Sequence, residues 1–211
     1  LTMGGVVEKQ ISGAIKALLE SDGSLAEEVR AQDATVNQLD GLIDEECTRI
    51  LAKRQPAASD LRLILSISKS VSELERMGDE AKKIASLTLS LIEEGESPRG
   101  YVEIDRIGVM VSRMIADALD AIARLDIELA IKVAKKDRDV DREYNTAIRS
   151  LVTYMMEDPR SITRVLNVIW VLRSLERIGD HARHLCQHLV FMVKGVDVRH
   201  VPAQEIQKEI E

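Results

Sequence analysis

The chain has 211 residues, of which 45% are hydrophobic, and this is enough for a core in one domain or in two of about a hundred residues each. Its net charge of -7 argues against a nucleic-acid partner, whose phosphates need a basic surface, and favours cations as ligands. Only 2% of the residues are aromatic, which is typical of helices that pack through Leu, Ile, Val and Ala.

Several features indicate a soluble protein of the cytoplasm. The longest stretch without charged residues is about ten residues, whereas a bilayer needs about 20, and no signal peptide is evident. Cys47 and Cys186 form no CxxC pair and fall among apolar helical positions, so we expect two buried, reduced thiols. Leu1 stands in place of an initiator Met while a helical pattern already runs, so we also expect a leading segment before it.

Hydrophobic periodicity predicts three helices in the first half of the chain. The first covers residues 1–22. The second covers residues 24–54, with Ser24 as its N-cap. Because Pro56 ends that helix and suits the start of the next one, the third helix runs from about residue 57 to residue 94.

The second half repeats this order after a linker. Gly, Ser and Pro cluster in residues 95–100, where the periodicity lapses. Three further helices are predicted at about 101–124, 127–157 and 160–194. Residues 196–211 lack strong periodicity and are expected to form a loosely held tail.

The two halves also share a motif. LERMGDEAKKIASL at residues 74–87 returns as LERIGDHARHLCQHL at residues 175–189, and the Pro and Gly breaks match. We therefore predict an all-α protein, a tandem pair of three-helix bundles related by internal duplication. The first bundle covers residues 1–95, the second covers residues 100–195, and the tail follows.

Each copy of the motif places a Glu and an Asp four residues apart, Glu75 with Asp79 and Glu176 with Asp180. On a helix such residues project from one face about one turn apart. Two like charges about 4 Å apart repel by roughly 4 kcal/mol at an effective dielectric constant near 20. A bound metal ion would relieve that repulsion.

A glycine lies between the two acids in each copy. Gly inside a helix costs roughly 1 kcal/mol relative to Ala, so some other contact must offset its presence. Gly78 falls in the middle of the apolar stripe of its helix, with the carboxylates at the edge of that stripe, and Gly179 is its counterpart. We expect these glycines to let another helix approach closely beside the acids.

A second acidic stripe follows the second helix. Asp33, Asn37, Asp40 and Asp44 are spaced four, three and four residues apart, which places them on one side of the helix. This stripe is as compatible with a solvated helix face as with a set of metal ligands.

The chain resembles the PhoU family of phosphate-transport accessory proteins. The resemblance rests on the paired LER(M/I)GD motifs, on RILAKRQPAASDLRLI and on TYMMEDPRSI, and it covers residues 1 to about 202. It implies tandem three-helix bundles, metal clusters on E(D)xxxD motifs and a regulatory role. Independently of the resemblance, the sequence has no Gly-rich phosphate loop and no nucleophile-base-orienter arrangement, so we do not expect an enzyme. It further implies coupling between the ATPase subunit of an inner-membrane phosphate ABC transporter and a sensor histidine kinase, with repression of phosphate-starvation genes when phosphate is plentiful.

The family pattern transfers to this chain residue by residue. It departs at Asn37, a neutral group paired with Asp33, although Asp40 and Asp44 form another DxxxD one turn further along. Carboxylate ligands suit Mg, Mn, Fe or, less typically, Zn. The metal ligands that the resemblance implies, with the DxxxD of the second helix added, are Glu75, Asp79, Glu176, Asp180, Asp137, Asp141, Asp33, Asp40 and Asp44.

Two alternatives concern residues next to the motif. Arg76 and Arg177 adjoin it and could form a purely ionic lock with acids of a neighbouring helix. His181, His184 and His188 lie on one helix side and could supplement a metal site or accept a phosphoryl group. The matching positions of the first half carry no histidine, so a symmetric site does not need them.

Two further function classes remain open. A carboxylate-bridged metalloenzyme would normally carry two ExxH motifs, and the helices contain none; the one DxxH, Asp197 to His200, lies in the tail. A structural bundle that pairs through its helix faces is the other class. A homodimer is expected in any case, because the fourth and fifth helices carry more apolar positions than one core stripe requires.

Overall fold

The computed structural model describes residues 1–95 and 100–210, and these contain no β-strand. Six long helices account for nearly all of them, and the predicted all-α fold is therefore confirmed. A short 3₁₀ turn, Pro159–Ser161, precedes the sixth helix. The helices are α1 Thr2–Leu19, α2 Gly23–Arg54, α3 Ala58–Glu94, α4 Tyr101–Arg124, α5 Ile127–Glu157, α6 Ile162–Lys194 and the short α7 Ile206–Ile210.

The helix ends repeat between the two halves. Asp22 caps α2 by accepting a hydrogen bond from the Leu25 amide at 3.0 Å. Asp126 caps α5 in the same way, by accepting a hydrogen bond from the Leu129 amide at 2.9 Å. The expectation that Ser24 caps the second helix was therefore wrong. Ser24 lies one residue inside the helix, because the aspartate two residues earlier already binds the free amide.

Each half is a bundle of three helices, and the two bundles pack against each other. α1, α2 and α3 contact one another, as do α4, α5 and α6. The most extensive contact joins α3 to α6, and α1 also packs on α4, so one continuous apolar core includes residues such as Met77 and Ile178 from both halves. The division into domains at 1–95 and 100–195 stays a prediction, and most of the proposed linker, residues 96–99, lies outside the described residues.

Helices α3 and α6 run antiparallel. Glu73 near the middle of α3 faces His184 of α6. Arg62 at the start of α3 lies beside Gly195 at the end of α6, 3.5 Å from where a Cβ of that glycine would be. Side chains that are more than a hundred residues apart therefore meet in the middle of the molecule.

The segment after α6 does not hang loosely, contrary to expectation. Val198 and Ile206 are 0% and 1% exposed, and they form a second apolar cluster with Ile131 of α5 and Val190 of α6. A few isolated apolar residues are enough to anchor the segment, because they pack against α5 and α6.

Cys47 and Cys186 are both buried free thiols, as expected. Burial raises the pKa of the Cys186 thiol far above its usual range, so this side chain is an inert core residue. Among the described residues, no helix is both long and apolar enough to cross a membrane.

Candidate functional site

The glycine of the first motif lies at a close helix contact. A Cβ on Gly78 would lie 3.1 Å from Gln10 Oε1 of α1 and 3.3 Å from Val36 Cγ1 of α2, which is closer than ordinary packing allows. At Gly179 the nearest atom would be Asp137 Oδ1 at 3.5 Å, an ordinary contact. The first glycine is therefore required by the approach of two helices, and the second is much less so.

The second half gathers carboxylates around one arginine. Asp137 of α5 is buried, and its Oδ2 forms an ion pair with Arg183 Nε of α6 at 2.7 Å. Arg183 Nη2 donates a hydrogen bond to Asp180 Oδ1 at 2.6 Å. Glu176 is also buried and accepts a hydrogen bond from Arg173 at 2.7 Å. One guanidinium thus serves two aspartates of different helices.

The charges of this cluster are incompletely balanced. Burial raises the pKa of Asp137 to about 6, and repulsion from Asp180 and Asp141 adds to that effect, despite the attraction of Arg183. The pKa values of Asp141 and Glu176 are raised for the same reasons, burial first and the neighbouring carboxylates next. The structure therefore brings together Asp137, Asp141, Glu176 and Asp180, which we call the second carboxylate cluster.

The first half repeats this arrangement with a lysine. Asp33 of α2 is buried, and Lys82 of α3 donates a hydrogen bond to its Oδ2 at 2.7 Å. Asn37 donates to the same oxygen at 3.2 Å. Lys82 holds the place in the first motif that Arg183 holds in the second, so a basic side chain crosses to the buried aspartate in both halves.

The remaining acids of the first half surround this pair. The pKa of Glu75 is raised by burial and then by repulsion from Asp79, Asp40 and Asp33. The pKa of Asp79 is raised by burial and then by repulsion from Asp33. Asp33, Asp40, Glu75 and Asp79 therefore form the first carboxylate cluster.

Asp44 lies at the margin of this cluster. It is exposed, and its Oδ1 accepts a hydrogen bond from Ser68 of α3 at 2.9 Å. Its charge is close enough to help raise the pKa of Asp40, an effect that is second to burial.

The ionic-lock alternative is met in part: Arg177 pairs with an acid of the neighbouring helix, although that acid lies outside the carboxylate clusters. Arg76 lies 3.8 Å from Glu73 of its own helix, and Arg177 Nε lies 3.1 Å from Glu80 across the α3–α6 contact. The cations that reach the clustered aspartates are a lysine and an arginine one to two turns further along each helix. Sequence proximity to the motif acids therefore did not predict which basic side chain contacts the clustered aspartates.

The α3–α6 contact contains a further cluster that sequence reasoning missed in part. His181 Nδ1 and His184 Nδ1 lie 2.6 Å and 3.3 Å from Glu73 Oε2, and His188 Nε2 lies 3.8 Å from the other oxygen of Glu73. We call these four residues the histidine cluster. The three histidines are recognisable from their spacing, whereas Glu73 is signalled only by its place as an acid on a largely apolar helix face.

Burial alone would raise the pKa of Glu73, but hydrogen bonds with His181, His184 and His188 lower it far below the usual range. Donor atoms of Glu73, His181 and His184 all lie within 4.8 Å of one another, so these residues could hold a metal ion. Among the described residues no three carboxylates come this close, because a basic side chain lies between them in each carboxylate cluster.

The carboxylate clusters nevertheless have donor atoms that suit a cation. Asp33 Oδ1 and Glu176 Oε2 are buried oxygens without a hydrogen-bond partner. An unpaired buried acceptor is costly, and an oxygen-only donor set matches hard divalent cations.

The fold and these clusters define a duplicated helical-bundle protein with a related carboxylate cluster in each half. A family model described as the PhoU domain matches residues 1–88 and 104–189. The chain therefore belongs to the PhoU family.

Named relatives and solved structures agree with this assignment. The phosphate-specific transport system accessory protein PhoU homolog of Pseudomonas aeruginosa is 60% identical over 211 residues, which are 100% of this chain and 87% of the relative. The PhoU protein of Escherichia coli K12 is 46% identical over 208 residues, 99% of this chain and 86% of the relative.

Two crystal structures are similar in fold. PhoU from Pseudomonas aeruginosa superimposes with a TM-score of 0.91 at 62% identity, covering 93% of this chain and 94% of the other. The phosphate transport system regulatory protein PhoU from Streptococcus pneumoniae gives 0.86 at 32% identity, covering 93% and 92%.

Proposed function

We propose that this protein is a cytoplasmic regulator of phosphate uptake and signalling. It couples the ATPase subunit of a phosphate ABC transporter to a sensor histidine kinase, and it keeps phosphate-starvation genes repressed while phosphate is plentiful. It reaches the inner membrane through these partners only and catalyses no reaction. The observation that supports this most strongly is 60% identity, over the whole chain, to a protein named as a phosphate-specific transport system accessory protein.

A pull-down tests this function directly. The tagged chain is incubated with the ATPase subunit and the kinase of the same organism, with and without phosphate and divalent metal. We expect both partners to be retained, and deletion of the gene to switch on a phosphate-starvation reporter in phosphate-rich medium. Retention of neither partner under any of these conditions, together with an unchanged reporter, would refute the proposal.

We further propose that the carboxylate clusters bind divalent or iron-type metal ions, Mg, Mn, Fe or Zn. Several carboxylates in each cluster have raised pKa values, so the basic side chains beside them, Lys82 in the first cluster and Arg173 with Arg183 in the second, do not fully balance their charge. A divalent ion would add two positive charges and attach the adjoining helices to each other. The ligands proposed are Asp137, Asp141, Glu176 and Asp180 in the second half and Asp33, Asp40, Glu75 and Asp79 in the first, with Asp44 at the margin.

Metal analysis tests this second part. Protein purified without chelator is compared with Asp79→Ala and Asp180→Ala, and with Asp139→Ala as the control, because Asp139 is an exposed acid of α5 that pairs with Arg142 of its own helix. We expect less metal in the first two variants and an unchanged content in the control. The second cluster should bind more tightly, since the first has the neutral Asn37 at the position where the second has Asp141. If chelation leaves the melting temperature unchanged and Asp180→Ala keeps its metal, the clusters are ionic contacts only.

We also propose a homodimer. Val102 of α4 is 72% exposed, and Val152 and Met156 of α5 are 43% and 79% exposed, so the second half presents apolar side chains to solvent. Pairing of two copies would cover them. Light scattering should give the mass of a dimer at micromolar concentration, and Met156→Glu should weaken the dimer. A monomer mass for the wild-type protein would contradict this proposal.

A further inference from the structure

Three of the four histidines of the chain converge on one buried carboxylate. His181, His184 and His188 come from one face of α6, and Glu73 reaches them from α3. The positions of the first motif that correspond to these histidines hold Glu80, Lys83 and Leu87. The duplication therefore does not explain the cluster, which occurs once, at the contact between the two halves.

Hydrogen bonding within the protein does not account for the cluster. His181 is 6% exposed, its Nδ1 faces Glu73, and its Nε2 is buried without any partner. A carboxylate can accept hydrogen bonds from all three imidazoles, but these bonds leave His181 Nε2 without a partner, and an orphaned buried nitrogen costs free energy. The arrangement is thus poorly explained as a set of satisfied core histidines.

The spacing of the donor atoms fits a small divalent ion. Zinc binds imidazole nitrogen and carboxylate oxygen at about 2.0–2.2 Å, so neighbouring ligand atoms in a tetrahedral site lie roughly 3.3 Å apart. The observed distances from the Glu73 oxygens to the three imidazole nitrogens run from 2.6 to 3.8 Å. Donor atoms of Glu73, His181 and His184 all lie within 4.8 Å of one another, and His188 Nε2 lies 3.8 Å from the second oxygen of Glu73.

Access to the cluster comes from a cleft of about 380 Å³ that Glu73, His184 and His188 line together with Lys69, Arg76, Arg199 and His200. These basic residues oppose a cation only weakly. Arg199 pairs with Asp197 at 2.9 Å, and Lys69 lies over the Phe191 ring at 5.6 Å from its centroid. Arg76 lies 3.8 Å from Glu73 Oε1, but its side chain is more than half exposed, so water screens its charge.

We propose that Glu73, His181 and His184 form a zinc site that joins the two halves of the molecule, with His188 beside the Glu73 carboxylate, and that this site is separate from the carboxylate clusters. Imidazole ligands favour Zn²⁺ over the hard cations that suit oxygen-only clusters. Because α3 and α6 each supply ligands, the bound ion links the two bundles and stabilises their contact.

The test is Zn²⁺ binding to the full, metal-stripped chain, measured by competition with a chromophoric chelator. Glu73→Gln keeps the size of the side chain but removes its charge, and His184→Ala removes a side chain that is only half-buried, so that at least one variant should fold. His200→Ala is the matched histidine control from the same cleft, and Asp180→Ala separates this site from the second carboxylate cluster. Circular dichroism confirms the fold of each variant.

We expect Glu73→Gln and His184→Ala to weaken the tightest Zn²⁺ site by at least about 10–100-fold, while His200→Ala and Asp180→Ala leave it unchanged. Co²⁺ as a substitute should give the visible absorption of nitrogen ligation in the wild-type protein and in both controls only. Unchanged Zn²⁺ affinity in His184→Ala, or an equal loss in His200→Ala, would overturn the proposal. Loss of the site in Asp180→Ala alone would assign the zinc to the carboxylate cluster instead.

Discussion

Replacing Asp137 by Asn should change how stability depends on pH. Asp137 is 6% exposed, and burial with its acidic neighbours raises its pKa from the ordinary 3.8 to about 6. Between these two values the folded protein keeps the proton on Asp137, whereas the unfolded chain loses it. The unfolded state then binds fewer protons, so the free energy of unfolding falls as the pH rises through this window.

The magnitude follows from the pKa difference of about 2, which corresponds to roughly 3 kcal/mol at about 1.36 kcal/mol for each pH unit. Asn resembles the protonated acid and does not titrate. In metal-free protein, Asp137→Asn should therefore gain up to about 2–3 kcal/mol relative to wild type between pH 4 and pH 7, because the wild-type protein loses that much. Part of this gain comes from Asp141 and Asp180, because the substitution also removes their repulsion with the Asp137 carboxylate.

Urea unfolding followed by circular dichroism at several pH values measures this difference. Asp139→Asn, two residues along the same helix but exposed, should show no such trend. Adding divalent metal should reverse the order, since the metal needs the Asp137 carboxylate. A difference between Asp137→Asn and wild type that stays constant from pH 4 to pH 7 would refute the reasoning.

Three other predictions concern packing and charge. Gly179→Ala should raise the free energy of unfolding by about 0.5–1 kcal/mol, whereas Gly78→Ala should lower it by about 1 kcal/mol. The reason is that only a Cβ at Gly78 meets atoms closer than 3.4 Å. Equal effects of the two variants in urea titrations would contradict this. Lys82→Met should lower the melting temperature of metal-free protein, because it leaves the charge of the buried Asp33 uncompensated. The same variant should bind metal more tightly, as measured by titration calorimetry. Weaker binding would show that the lysine does not compete with the ion. Ile206→Ala should release the C-terminal segment, so that amide hydrogen exchange becomes faster after residue 195 and stays almost unchanged in α3. A uniform increase in exchange throughout the chain would instead mean that the segment unfolds only together with the rest of the protein.

Apolar periodicity and the Pro and Gly breaks are local features, so they predicted the six helices to within a few residues, although the capping residue of the second helix is Asp22 rather than Ser24. The carboxylate pairs were equally accessible, since residues four apart on one helix must share a face. The predicted close contact was correct at Gly78, where the packed Val36 explains the glycine, and nearly absent at Gly179. Repetition in sequence thus identified equivalent places but did not ensure equal packing.

The sequence by itself determined the duplicated all-α architecture and the acids of each motif, because both depend on residues within a few turns of one another. Only the tertiary structure decided which groups meet across helices. Lys82 and Arg183, rather than Arg76 and Arg177, reach the buried aspartates, because the side to which a long side chain turns depends on where the neighbouring helix passes. Glu73 joins the histidines because α3 and α6 pack antiparallel, which brings together residues more than a hundred positions apart, a contact that no local pattern contains.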